Sequence, residues 1–257
     1  MRANTIGLIA GVGAVALTSI ASANVQAGDT FTLSRINIQG RATYINYDSA
    51  RSWNAAGVTG GDYALAGLIN WNIQQYNGSA AGGTMKSFCV EVSEAFPDDP
   101  IQYTLTDPTG VPEESPPGNM SANQSQMMQD LYSRYWADVS SSAEESWLSY
   151  ADEAAAFQLV VWEISHENFS DPSDLSSMKS ELDITLGALV ATSYFSNDVL
   201  TAANGMIAAL GTGGWTNYSA LFGGTNPTNQ DLLIVVPSPA IAALAGLGLV
   251  GMRRRRR

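Results

Sequence analysis

Two residues in this chain are of types that could do covalent chemistry. Cys89, in MKSFCVEVSE (85–94), is the only cysteine. A lone thiol either packs as a small hydrophobe or acts as a nucleophile, because the chain offers no second cysteine for a disulfide. Gln158 lies in LSYADEAAAFQLVVWEISHE (148–167), where Phe157, Val160, Val161 and Ile164 form an apolar stripe at i, i+3, i+4 and i+7. Its helical neighbours are Ala154, Ala155, Val161 and Trp162. The amide thus falls at the edge of the stripe, where burial without partners costs about 1–3 kcal/mol. The small alanines leave room for another group to pack against the amide carbon.

Other polar residues carry weaker signals. His166, the single histidine, closes the same helix pattern beside Glu163 and Glu167. It is expected to be exposed and to complement the negative end of the helix dipole. No nucleophile-elbow motif supports Ser-His-Asp catalysis. Asp98 and Asp99, with Glu91 and Glu94, make an acidic stretch without EF-hand or repeat spacing, so no metal site and no cofactor are assigned.

The elements that must position Cys89 and Gln158 can be read from pattern. Residues 31–47 are rich in β-branched and aromatic side chains and read as strand. Glycine-rich turns at 54–62 and 77–83 flank an apolar segment, 63–76. Phe88 to Val92 reads as a short strand carrying Cys89, and Ile101 to Thr106 as another. Residues 107–119, with four prolines, read as an exposed loop. Ser121 caps a helix through Tyr135, and Ser149 or Asp152 caps the helix that carries Gln158. A strand-like run from Ile184 to Phe195 leads to a helix over 197–210, and Gln230 to Val236 is an apolar strand. Strands at both ends and helices in the middle predict an α+β domain, with sandwich- or barrel-like strands and an inserted helical subdomain.

The chain ends address export. Arg2, the apolar stretch Ile6–Ile20 and Ala21-Ser22-Ala23 fit a signal peptide within 1–27, with Val25-Gln26-Ala27 as a second possible cut. At the other end Ala240–Met252 is a short apolar run followed by five arginines. A free-standing membrane span needs about 20 apolar residues, while positive charge behind such a run holds that end on the cytoplasmic side. Setting aside Arg2 and Arg253–Arg257 leaves six basic residues against 24 acidic ones, a formal charge of −18. That surface repels phosphate backbones and excludes nucleic acid as a partner.

Two resemblances follow from these motifs. Val236, Pro237, Ser238 and Pro239, the apolar run, and Arg253, Arg254, Arg255, Arg256 and Arg257 resemble the PEP-CTERM/exosortase sorting tails in their Val-Pro-Ser-Pro variant. This implies a tail over 237–257 that engages the inner membrane transiently, is removed by exosortase-type machinery, and delivers the protein to the envelope surface or outside. Phe88-Cys89-Val90-Glu91 and Phe157-Gln158-Leu159-Val160-Val161-Trp162 resemble the two motifs of bacterial thioester domains, modules of surface adhesins. The residue before the glutamine is Phe157, where that pattern commonly has threonine.

The second resemblance implies that the Cys89 sulfur attacks the Gln158 side-chain carbonyl and expels ammonia, leaving an internal thioester between them within a thioester-like domain over residues 28–236. Phe88, Phe157 and Trp162 would shield the bond from water, and Glu91 completes the motif. The implied partner is an amine on a surface or matrix molecule, such as a protein lysine. The link forms once, for adhesion or cross-linking, without enzymatic turnover and without a cofactor. The alternative is a non-covalent extracellular matrix or binding protein in which Cys89 and Gln158 are structural.

Overall fold

Alternating apolar and polar residues turn one face of several strands inward, and six of those strands close on themselves. The computed structural model describes residues 18–19, 25–47, 62–92, 100–115, 117–141, 149–192 and 197–236. Its strands are β1 (Thr18–Ser19), β2 (Thr30–Tyr47), β3 (Asp62–Tyr76), β4 (Ser79–Gly82), β5 (Thr84–Cys89), β6 (Ile101–Thr106), β7 (Leu189–Thr192), β8 (Leu221–Thr225) and β9 (Leu232–Val235). The helices are α1 (Ala122–Ser140), α2 (Tyr150–His166), α3 (Leu175–Glu181) and α4 (Asn197–Ala209). Strands β2, β3, β5, β9, β8 and β6 pair antiparallel in that order, and β6 returns to β2. This is the α+β, barrel-like fold with inserted helices that the pattern predicts.

The long strand β2 serves two partners on one side. Thr30–Leu33 pair with β6 and close the barrel, whereas Tyr44–Tyr47 pair with β7 beyond it. On its other side β2 stays with β3 along nearly its whole length, through bulges at Thr32/Leu33 and Arg35/Asn37. Between the two halves Gly40 and Gly67 face each other. A Cβ on Gly67 would lie 2.5 Å from the Gly40 Cα, so the two backbones approach more closely than any side chain permits.

Helix α2 is the centre of the assembly. It packs against β2 and β3 on the barrel side and against α1 and α4 on the other. Every residue from Glu153 to His166 is buried, so the stripe edge expected for Gln158 is no edge at all: the amide is wholly inaccessible. A helix buried all round has no solvent face on which to place a polar residue. Ser149 caps the helix, its hydroxyl accepting from the Asp152 amide, and Arg41 of β2 reaches both residues. At the start of α1, Ser121 and Gln124 form a reciprocal capping box.

Several expectations need correction. The strand carrying Cys89 begins earlier, at Thr84, and ends on Cys89 rather than running to Val92. Val111 and Pro112 in the proline-rich loop are buried rather than exposed, because Val111 fills the space beside Gly223 of β8. Of the described part of the run 184–195, residues 184–192, only Leu189–Thr192 is strand. Its first half is a turn in which the Asp183 side chain accepts from the amide and hydroxyl of Thr185. Strand β8 and helix α3 have no counterpart in the pattern reading.

Candidate functional site

The register of β5 explains how the cysteine and glutamine meet. Val90 donates its amide to the Asp231 carbonyl at 3.0 Å, so the amide and carbonyl of the preceding residue, Cys89, point the other way. On that side β3 pairs with β5 only as far as Ser87. The Gln158 amide takes the vacant ladder position. Cys89 N donates to Gln158 Oε1 at 3.0 Å, and Gln158 Nε2 donates to the Cys89 carbonyl at 2.8 Å. Two residues 69 apart in sequence are thereby joined at two points. These bonds offset the cost of burying the amide.

An aromatic wall encloses the pair. Phe88 and Phe157, the residues before Cys89 and Gln158, lie 4.6 Å apart between ring centroids. Tyr132 of α1 meets the Phe157 ring edge-on at 5.0 Å and stacks on Trp136 at 5.5 Å. Trp162, one turn beyond Gln158, is buried, and its indole N–H has no hydrogen-bond partner. Cys89 itself is 3% exposed. Burial first, and the Glu91 carboxylate second, push the thiol well above its ordinary pKa, so it is held protonated.

Glu91 anchors the end of β5. Its Oε1 accepts from the Asp231 amide at 3.0 Å, and its carbonyl accepts from the Gln230 side chain. The Asp231 carboxylate in turn accepts from the amides of Glu113 and Asn226, and burial raises it to about 6. The motif residue two positions after the cysteine therefore ties β5 to the start of β9. That tie fixes which way the Cys89 backbone faces.

The chain matches no protein-family model, no curated protein and no solved structure. The site is therefore read from its own geometry. The structure brings Cys89, Gln158, Phe88, Phe157 and Glu91 together, and buries Trp162 one turn beyond Gln158. Of the sorting signal only Val236 is described; it is buried and donates to the Ala220 carbonyl. Residues 237–257, the acidic stretch 93–99 and most of the leader lie outside the described residues. Among those described, no helix is long and apolar enough to cross a membrane, and no group of three His, Cys, Asp or Glu could hold a metal ion.

His166 is not exposed, contrary to expectation. It is 2% accessible, with Nδ1 at 3.1 Å from the Trp162 carbonyl and its ring edge-on to Tyr47 at 4.7 Å. Burial lowers its pKa from 6.5 to about 3, so the ring is neutral and contributes no charge to the helix end. Its neighbours are also buried carboxyls. Burial pushes Glu163 well above its ordinary value and Glu167 to about 7. Ser165 links this end of α2 to the site by donating to the Val90 carbonyl at 2.9 Å. A cavity of about 220 Å³ opens here, walled in part by Tyr47, Gln124, His166 and Phe169.

Sequence reasoning missed the roles of Tyr132, Tyr103, Gln230 and Asp231. The helical spacing of Tyr132 marks it as inward-facing but cannot say which strand end it meets. The Tyr103 hydroxyl, on β6 with β8 between it and β9, donates to the Gln230 carbonyl at 3.3 Å.

Proposed function

We propose that this chain is an exported surface protein in which Cys89 and Gln158 condense into an internal thioester. The bond is a stored acyl group. An amine on a partner surface or matrix molecule displaces the sulfur and becomes linked to the Gln158 side chain, once and without turnover. The observation that carries this reading is the two-point docking of the Gln158 amide on the Cys89 backbone, inside a dry aromatic enclosure. Docking of this kind converts a bimolecular attack into a local one. Exclusion of water suits an acyl group that water would otherwise consume.

A second reading rests on the same two bonds. They satisfy the last open backbone groups of β5, which is sufficient reason for a glutamine at 158 in a non-covalent binding or matrix protein. Mass decides between the two. Fresh intact protein should be one ammonia lighter than its sequence. Its thiol should resist alkylation when denatured without a nucleophile, and methylamine should add its own mass and release one thiol. Cys89→Ala and Gln158→Ala should each carry full mass. Full-mass wild type with a thiol alkylated on denaturation would remove the thioester and leave the structural reading.

The ends support export. Val25 packs against the core, and Gln26 closes a turn with Asp29, which favours leader removal after Ala23 over removal after Ala27. Buried Val236 favours a tail that begins at Pro237. Terminal mapping of protein from its native host tests both points, and retention of Arg253–Arg257 in the mature chain would rule out the sorting signal.

A further inference from the structure

The cavity beside the end of α2 is not used by the chemistry proposed at Cys89. Its volume, about 220 Å³, suits a small molecule, being below the roughly 300–1,000 Å³ of pockets for drug-sized ligands. Tyr47 and Phe169 give it aromatic walls, and the end of α2 gives it Ser165, His166 and Glu167. No lysine or arginine stands among the described residues that line it. His166 is the one basic residue in the last turn, and its ring is neutral. The negative end of the helix dipole therefore has no cation from its own last turn.

Several polar groups of the wall divide into donors that are spent and acceptors that are not. Gln124 Nε2 donates to the Ile164 carbonyl at 2.9 Å, and the Ser165 hydroxyl donates to the Val90 carbonyl at 2.9 Å. His166 Nδ1 lies 3.1 Å from the Trp162 carbonyl. A carbonyl can only accept, so the ring proton sits on Nδ1 and Nε2 offers a lone pair. That nitrogen is buried and has no hydrogen-bond partner among the described residues. The Glu167 carboxylate accepts from the amides of Asn168 and Ala188, which leaves part of its capacity of about four acceptor positions. Burial raises it to about 7, so near neutrality it is partly ionised, and a neighbouring cation favours its charged form.

We infer that this cavity binds a small organic ammonium ion, whose N–H group donates to His166 Nε2 and whose charge is met by Glu167 and the carboxyl end of α2. Tyr47 and Phe169 supply aromatic faces against which the alkyl groups and the charge pack. A neutral sugar or alcohol fits less well, because it brings acceptors, and the Gln124 and Ser165 donors are already bonded within the protein. An anion meets the negative helix end and the Glu167 carboxylate. Among the described residues no group of three His, Cys, Asp or Glu could hold a metal ion, which leaves an organic cation as the ligand class. The site stands whether or not Cys89 and Gln158 condense.

The test uses the mature, untagged protein and its Cys89→Ala variant, in which no thioester can form. Because the chain has one histidine, its ring nitrogen resonances report on the cavity without assignment. Trimethylammonium is the probe, since its single N–H matches the lone pair and it forms no stable amide. It should move the Nε2 resonance upfield and saturate, with a Kd on the order of millimolar. Neutral tert-butanol, of the same shape, should bind on the order of tenfold more weakly. Glu167→Gln, at matched thermal melts, should weaken the ammonium by a similar factor, and an unchanged affinity overturns the site. An Nε2 signal unmoved at about 100 mM probe, or moved equally by tert-butanol, overturns it as well. If Glu167→Gln does not fold, Phe169→Leu at the half-buried edge should weaken binding several-fold, and here too unchanged affinity overturns the site.

Discussion

Helix α2 buries polar side chains at two places, and it treats them differently. At Gln158 the group is a neutral amide, and both its polar atoms are bonded to the Cys89 backbone. Little more than a turn later come Glu163, Ser165 and His166, and there the pairing is incomplete. Glu163 Oε1 accepts from the Asp183 amide at 2.7 Å, but Oε2 and His166 Nε2 have no hydrogen-bond partner. The amide can be buried without charge, so it can be held in one geometry at any pH. The titratable groups are buried by giving up their charge, which makes that end of the helix sensitive to protons. The proposed covalent site requires the first kind of position.

The comparison is broken most directly at Gln158. In a Cys89→Ala background, where no covalent bond can contribute, Gln158→Leu should cost about 2–5 kcal/mol in denaturant unfolding, because it strands an amide and a carbonyl in a dry interior. A loss below about 1 kcal/mol would mean that the two-point docking contributes little to the fold.

The proton-sensitive end should shape the pH dependence of stability. Glu167 rises from 4.5 to about 7 on folding, and Glu163 is raised as well. The folded chain then binds more protons than the unfolded one, so stability is full below about 4.5 and falls as pH climbs through 7. Asp231, raised to about 6, adds to that limb. His166 works in the opposite sense: its stabilisation is full above 6.5 and is lost as pH falls toward 3. Midpoints measured across this range should peak between 4.5 and 6.5. Glu163→Gln should flatten the alkaline limb, with stability gained as the pH rises toward 8. His166→Asn should flatten the acidic limb. Equal slopes in wild type and both variants would show that these groups keep their ordinary ionisation.

The smallest effect is expected at the start of α2. The Arg41–Asp152 pair is 2.5 Å long, but the arginine side chain is 45% exposed. Arg41→Gln should therefore cost less than about 1 kcal/mol and should weaken further in salt. A larger loss would show that the cap region controls how α2 is seated on β2.

How much of this was legible depends on the range of the interaction concerned. Both long helices and their caps were readable, because Ser121 with Gln124 and Ser149 with Asp152 act within one turn. The strands around Phe31 and Ile101 were readable for the same reason: alternation is local. The reach of β2 across two partners, and its closure with β6, depend on pairings that no short window contains. Strand β8 was hidden because its glycines resemble a turn. Only in the fold does Gly223 make room for Val111, and Gly224 for Ile234.

At the site the sequence by itself determined the cast: one thiol, one glutamine in an apolar helix, and the aromatics beside each. It misjudged His166, because a histidine at a helix end is usually solvated, and the pattern could not show that Tyr47 and the barrel cover this one. The facing of the Cys89 backbone toward α2, the open ladder position beyond Ser87 and the unpaired Tyr132 hydroxyl were decided by tertiary structure alone. Each depends on where β3 stops and where β9 and α1 are laid down, contacts between segments dozens of residues apart.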